Sequence, residues 1–404
     1  MAARRLALAA AALAVLAIAG CGSSSSSSSG SSGSDSSGSD SSGSSSSSGG
    51  DTPTGDVKVV TILPTTGPLA SVTAKATVGA SRAATEVWNA AHPDRKVEMD
   101  LCNDEGNPEK SVSCVQRNLS SADVLNGPSF HNQYLAAAPL FERTKFDTTG
   151  DPLAVPSGDT TVFQATPTIQ NATDAAMDYF KRAGLTKVAF LTGTDAIGTA
   201  AGSAAKRSAA ASGVQLITAS YDPDAATVAP QINQVLPQDP QAVFIWAVGP
   251  QGVLALRAMK DAGASVPAML NFSSLTNATI TLAAQAMPSQ LLFTGSDAFV
   301  ADAISDPTRR RFVEEFTSAY ERQVGYQMLD WPGAAFADAA FVAFNAALHA
   351  SDTNGMVDWL ERGNPVAGLN ATYRYSASDH VGLADGNPIR VVRYTGSGFV
   401  DASQ

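Results

Sequence analysis

Residues 184–214 read GLTKVAFLTGTDAIGTAAGSAAKRSAAASGV, and this stretch decides the fold class. The apolar, partly β-branched run at 187–192 predicts a buried strand, and the Ala-rich run at 199–212 predicts a helix. Small and polar residues join the two runs. The stretch therefore predicts one strand–loop–helix unit of an α/β protein.

The same alternation recurs from residue 56 onward and predicts parallel sheets built from repeated βα units. The strand candidates are 57–63, 96–101, 187–192, 214–221, 242–247 and 291–294. The helix candidates are 69–91, 108–119, 171–183, 199–212, 251–261 and 307–323. Ligands of open α/β sheets bind beyond the carboxyl ends of the strands, so we expect a binding site there.

Residues 372–400 have a different pattern, in which aromatic and β-branched runs are separated by Asp-Gly and Ser-Gly turns. This pattern predicts antiparallel strands that close a lobe.

Composition limits the classes of partner. The chain has 404 residues with 26 Lys+Arg against 37 Asp+Glu, a net charge of −11. Such a charge disfavours nucleic acid, whose binding depends on positive surface. Apolar residues make up 44% and charged residues 16%, which favours a folded protein with enough length for two compact bodies.

The first fifty residues predict an export signal and a tether. Arg4 and Arg5 precede an apolar run at 6–19 that is too short to span a bilayer. Residues 17–21 read AIAGC, which resembles the lipobox of bacterial lipoproteins and implies that Cys21 is lipidated. The alternative is an ordinary secretory signal with an incidental cysteine. Residues 22–50 contain 20 Ser, 7 Gly and 2 Asp and predict a flexible coil.

The two remaining cysteines, Cys102 and Cys114, would lie in an oxidising compartment. A disulfide between them is the simplest interpretation. A redox pair and a two-ligand metal site are the alternatives. No further cysteine or histidine lies nearby to complete a tetrahedral site, and we expect no metal and no cofactor.

Four segments in order along the chain resemble branched-chain amino-acid-binding proteins. They are LPTTGPLA at 63–70, NDEGNPEK at 103–110, GLTKVAFL with DAIG at 184–198, and AVFIWAVGP at 242–250. The resemblance implies an α/β, two-lobed type I periplasmic-binding-protein fold. Each lobe would be a parallel-type sheet flanked by helices, and three hinge crossovers would lie near 166–167, near 295–296 and within 350–370.

These expectations define the domains: a signal peptide at 1–20, a tether at 21–55, and two lobes. The N-terminal lobe would comprise 56–166 plus about 296–350, and the C-terminal lobe 167–295 plus about 351–404. The resemblance also implies a monomeric, exported, lipid-anchored protein that delivers a small molecule to the permease of an ABC importer.

The resemblance implies a set of ligand-binding residues. Ser129, beside Phe130, matches a loop that holds a ligand carboxylate, and an N-cap role is its alternative. A second loop matches at 148–150, with an ordinary turn as the alternative. The full set is Thr65, Val72, Ser129, Phe130, Thr148, Thr149, Gly150, Ile197, Gly249, Phe272 and Ser273.

Three of these positions depart from the amino-acid binders. Val72 and Ile197 occupy places that are aromatic in the family, and Phe272 with Ser273 falls where the family has a glutamate for the ligand ammonium. A buried ammonium without that acid would cost several kcal/mol. We therefore expect an amino acid other than a standard branched-chain one, or a small carboxylate with an apolar or aromatic body. Trp246 is expected in the core, with a place near the cleft beside Phe130, Phe272 and Ile197 as the alternative.

Two other functions remain open at this stage. The same fold serves as the sensing domain of regulatory proteins, which would hand the closed state to a signalling partner. A serine hydrolase is a remote alternative, because GPSFH at 127–131 lacks the second glycine of G-x-S-x-G.

Overall fold

The computed structural model describes residues 54–67, 69–154 and 160–402, without the side chain of Val72. The expected signal peptide, lipidated Cys21 and nearly all of the tether lie outside these ranges. Within the described residues, no single helix is long and apolar enough to cross a membrane.

The first lobe begins with a purely parallel sheet. Its strands are β1 (Val57–Leu63), β2 (Val97–Asn103), β3 (Val124–Asn126), β4 (Asp147–Thr149) and β5 (Val162–Gln164), in the order β2-β1-β3-β4-β5. Three helices connect them, namely α1 (Ala70–Ala91), α2 (Pro108–Asn118) and α3 (His131–Phe141). Apart from the edge strand β2, the strands are buried, and all five end at one edge, where the loops that follow them come together.

The second lobe repeats this arrangement. Its parallel strands are β6 (Lys187–Gly193), β7 (Gln215–Tyr221), β8 (Ala242–Trp246), β9 (Ala268–Leu270) and β10 (Leu291–Gly295). Its helices are α4 (Ile169–Arg182), α5 (Ala196–Ser212), α6 (Ala229–Val235), α7 (Gln251–Asp261) and α8 (Asn277–Ala283).

The unit predicted from residues 184–214 is confirmed as β6, a short loop and α5. The carboxylate of Asp195 accepts a hydrogen bond from the Gly198 backbone N–H (3.0 Å) and so caps the helix. Gly213 ends it with a left-handed φ of 73°, which glycine adopts without steric cost.

The chain then returns to the first lobe. It forms α9 (Pro307–Val324), α10 (Trp331–His349), α11 (Thr353–Glu361) and a small antiparallel pair, β11 (Val366–Ala367) and β12 (Thr372–Tyr373). Finally β13 (Arg390–Tyr394) and β14 (Phe399–Asp401) add antiparallel strands to the second sheet, whose order is β14-β13-β10-β9-β8-β6-β7. The antiparallel pattern expected at 372–400 is confirmed, but its strands belong to two lobes.

The third crossover differs from expectation. Residues 356–375 contribute buried side chains, including Leu360 and Tyr373, to the hydrophobic core of the first lobe. The Tyr375 hydroxyl donates to the Gln164 carbonyl (2.9 Å), and the His380 ring stacks on Phe163 at 4.0 Å. Residues 351 to about 383 therefore pack with the first lobe and not with the second. The chain crosses between Leu383 and Ile389, because Ile389 is the next residue in the core of the second lobe.

Asp338 of α10 anchors this returning segment. Its fully buried carboxylate accepts hydrogen bonds from the backbone N–H groups of Leu369 and Asn370 and from the Tyr373 hydroxyl (2.8 Å). Burial raises the pKa of Asp338 to about 7, although the three hydrogen-bond donors act to lower it. The segment is thus fixed by contacts far apart in sequence.

The disulfide between Cys102 and Cys114 is present and joins the end of β2 to α2. It spans 12 residues of sequence. Cys114 lies on the buried face of α2. The bridge therefore holds α2 against β2, the edge strand of the sheet.

We predict that the double variant Cys102→Ser, Cys114→Ser is less stable by about 2–3 kcal/mol, since the cross-link restricts a short loop in the unfolded chain. Urea unfolding of the two proteins measures the difference. Equal unfolding midpoints, with and without reductant, would contradict a structural role for the bridge.

Candidate functional site

A cavity of about 140 Å³ lies between the two lobes, beyond the carboxyl ends of the strands. Its first-lobe wall comes from the loops after β3 and β4 and from the start of α10. Its second-lobe wall comes from the start of α5 and from the segments after β8 and β9. The predicted position of the site at the strand ends therefore coincides with a real cavity.

The loop after β3 presents Ser129 to the cavity. Gly127 turns the loop with a φ of 93°, where an added Cβ would lie 2.9 Å from the Ile62 carbonyl oxygen. The Ser129 hydroxyl is buried and accepts a hydrogen bond from the Gly150 backbone N–H (3.0 Å). Phe130, whose side chain makes no capping bond, is the N-cap of α3, so the alternative N-cap role of Ser129 is not what the structure contains.

The loop after β4 uses its two threonines internally. The Thr149 hydroxyl donates to the Pro128 carbonyl (3.0 Å) and accepts from the Asp151 N–H (3.1 Å). Thr148 is fully buried, and its hydroxyl has no hydrogen-bond partner among the described residues. Only Gly150 of the predicted trio lines the cavity.

His131 and Asp151 form a hydrogen-bonded pair on the same wall. The distance between His131 Nδ1 and Asp151 Oδ2 is 2.8 Å, and the Asp151 carboxylate is completely buried. Its other oxygen accepts from the Leu153 N–H (3.0 Å). The hydrogen bond to Asp151 raises the pKa of His131 above its ordinary 6.5, although partial burial opposes this shift.

Aromatic rings form much of the remaining wall. Phe272 stacks on Trp331 with ring centroids 4.6 Å apart and meets Trp246 edge-on at 5.5 Å. On the first lobe, the ring centroids of Phe130 and Phe336 lie 5.7 Å apart. The cavity is thus suited to an apolar or aromatic body.

Trp246 is buried, as expected, with 2% of its surface exposed, but it also lines the cavity. Its indole nitrogen has no hydrogen-bond partner among the described residues. A buried N–H without a partner favours a ligand or water that can accept a hydrogen bond.

The structure brings together seven of the predicted residues along the cavity wall: Ser129, Phe130, Gly150, Ile197, Gly249, Phe272 and Ser273. Thr148 and Thr149 lie behind the wall. Thr65 does not line the cavity either, and its backbone N–H donates to the Asn103 side chain (2.9 Å). Val72 lies on α1, and its side chain is outside the described part of the protein.

Sequence reasoning missed His131, Asp151, Trp331 and Phe336 as wall residues. His131 directly follows the loop at 127–130, and Asp151 directly follows the loop at 148–150. Their place next to two predicted ligand loops is the sequence feature that could have identified them. In the described ranges, no group of three or more His, Cys, Asp or Glu side chains could hold a metal ion.

Comparisons with known proteins agree with this architecture. A family model described as periplasmic binding protein matches residues 56–398. None of the curated proteins matches the chain. Among solved structures, an extracellular ligand-binding receptor from Rhodopseudomonas palustris HaA2 has a TM-score of 0.73 at 20% identity, covering 86% of this chain and 99% of that one.

Two further solved structures share the fold. The leucine binding protein LivK from Thermotoga maritima has a TM-score of 0.68 at 17% identity, and the match covers 85% of this chain and 97% of the LivK chain. A solute binding protein of an ABC transporter from Rhodopseudomonas palustris BisB5, in complex with 3,4-dihydroxy benzoic acid, has a TM-score of 0.66 at 17% identity, covering 86% and 98%.

We predict that Phe272→Ala lowers the free energy of unfolding by about 3–5 kcal/mol, because a large buried ring is lost from a packed wall. Phe272→Leu keeps much of the volume and should cost less than about 1.5 kcal/mol. Urea unfolding of both variants measures the two costs. Equal losses in the two variants would contradict this volume argument, because leucine keeps much of the phenylalanine volume and alanine does not.

Proposed function

The chain belongs to the periplasmic binding protein family, and on this premise we propose that it captures a small molecule between its lobes and delivers it to an ABC importer. The observation that carries the proposal is the cavity lined from both lobes. A ligand in contact with both walls favours the closed arrangement, which a membrane partner recognises.

We propose a small carboxylate with an apolar or aromatic body as the ligand. Phe272 and Ser273 offer no acid for an α-ammonium group, and the one carboxylate among the described wall residues, Asp151, is paired with His131. An amino-acid ammonium would therefore lie unpaired beside aromatic rings. The 3,4-dihydroxy benzoic acid bound by one structural neighbour supports an aromatic acid, whereas the leucine binding protein keeps an amino acid as the alternative.

The protein would act outside the cytoplasm, held to the membrane by a lipid on Cys21. The lipobox-like AIAGC at 17–21 and the Ser/Gly tether after it support this anchor. A sensor that passes its closed state to a signalling partner is the second candidate, and the structural neighbours named extracellular ligand-binding receptors favour it.

Hydrolysis receives little support from the site. Ser129 Oγ accepts a hydrogen bond from the Gly150 N–H, and no hydrogen bond joins it to His131. A nucleophilic serine needs a base within hydrogen-bond reach. We therefore propose binding without catalysis.

We predict that the full chain binds aromatic acids such as 3,4-dihydroxybenzoate or 4-hydroxybenzoate more tightly than L-leucine. Ser129→Ala should weaken acid binding by about tenfold, the typical effect of one hydrogen bond to a charged group. Isothermal titration calorimetry measures the affinities.

Ser121→Ala, an exposed serine in the loop before β3, is the matched control and should bind like the parent. Preference for leucine, or an equal loss in both variants, would contradict the proposed ligand class.

We also predict that Cys21→Ser moves the protein from the membrane to the soluble extracytoplasmic fraction, because the acyl chains cannot be attached. Fractionation and mass spectrometry of the N-terminus measure this. Ser23→Ala is the control and should stay in the membrane. An unmodified Cys21 in the parent protein would exclude the anchor.

A further inference from the structure

Most polar donors on the first-lobe wall are already engaged. The Gly150 N–H donates to Ser129 Oγ, and the Asp151 N–H donates to Thr149 Oγ1. Pro152, the next wall residue, has no N–H to offer. Among the side chains lining this wall, those of Ser129, His131, Thr166 and Trp331 have a donor with no acceptor among the described residues, and of these four His131 is the one that can carry a charge.

The His131 ring has a fixed orientation. Its Nδ1 lies 2.8 Å from the buried Asp151 carboxylate, which is an acceptor, so Nδ1 carries the hydrogen of this bond. The ring lines the cavity and keeps 14% of its surface exposed. Within the described ranges, Nε2 has no hydrogen-bond partner in the protein. It is also not completely buried, so a ligand can reach it. Nε2 is therefore the free end of the pair.

The charge state of His131 decides what this free end recognises. A neutral ring with its hydrogen on Nδ1 offers Nε2 as an acceptor, whereas the imidazolium offers a charged Nε2–H donor. The carboxylate of Asp151 raises the pKa of His131 and so favours the donor form.

Among the described residues, Asp151 is the charged group that acts on His131. The helix packed against α3 is α2, and its charged side chains Glu109, Lys110 and Arg117 are exposed. Among the described residues lining the cavity, His131 and Asp151 are the ionisable side chains. A charged hydrogen bond inside an apolar wall is stronger than one in water.

We infer that His131, held by Asp151, is the residue that selects anionic ligands, with its Nε2–H donating to the carboxylate of the bound molecule. The inference rests on the proposed function and deepens it. The body of the ligand then lies toward Phe272 on the second-lobe wall and toward Trp331, which stacks on Phe272.

Matched pairs of acids and primary amides test the inference in the purified full chain. The pairs are benzoate and benzamide, 4-hydroxybenzoate and 4-hydroxybenzamide, and phenylacetate and phenylacetamide, titrated by calorimetry at pH 6 and pH 9. At pH 6 the bound acid should be preferred over its amide by about 10- to 100-fold, the range for a charged hydrogen bond. His131→Gln should reduce this preference to about threefold or less.

The pH dependence has a definite sign. The imidazolium is complete well below the raised pKa of His131 and is lost as the pH rises through it, so acid affinity should fall toward pH 9 while amide affinity stays constant. Asp151→Asn should move this fall to lower pH. His92→Gln is the control, because His92 stacks on Trp88 away from the cavity and should change nothing.

The outcomes separate the inference from the proposed function. Equal binding of acid and amide, or an acid preference that persists in His131→Gln, would overturn the role of His131 and leave a small-molecule receptor. Acid binding that is equal at pH 6 and pH 9 would overturn it as well. If none of the six compounds binds the parent chain, both the inference and the proposed ligand class fail.

Discussion

The stacking of Phe272 on Trp331 is the contact on which the cavity depends, because Trp331 packs into the core of the second lobe while most of its helix, α10, packs into the core of the first. Their centroids lie 4.6 Å apart and their planes are inclined by 18°. Beside the rings, the backbone N–H of Trp331 donates to the Leu275 carbonyl (2.9 Å). The Asp330 carboxylate accepts a hydrogen bond from the backbone N–H of Asn277. These contacts seat the start of α10 against the second lobe and close one side of the cavity. A ligand in contact with both walls would add to these contacts and so favour this arrangement of the lobes.

The cavity is chemically asymmetric, and this asymmetry follows from the strand ends that build it. The first lobe contributes Ser129 and the His131–Asp151 pair from the loops after β3 and β4. The second lobe contributes Trp246, Phe272 and neighbouring apolar residues, with hydroxyls but no ionisable side chain among its described lining residues. A ligand with a polar end and an apolar body satisfies both walls at once, and neither lobe alone surrounds it.

Local patterns made much of the fold predictable from the sequence. The β6–loop–α5 unit has its own capping residue and its own glycine terminator, so residues 184–214 contain what is needed to predict it. The third crossover was not predictable in this way, because residues 356–375 are fixed by Asp338 and by the edge of β5, both distant in sequence. Thr149 matched a ligand loop by sequence, but its hydroxyl is consumed by Pro128 and Asp151. The role of His131 was not predictable from local sequence, because its partner Asp151 lies twenty residues away in the chain.

Hydrogen–deuterium exchange of the full chain, with and without a saturating ligand, tests the central claim that both lobes clasp one solute. We expect exchange to slow both in the loops at 127–131 and 150–153 of the first lobe and in the segments at 246–250 and 272–279 of the second. Protection confined to one lobe, or located away from the carboxyl ends of the strands, would contradict it.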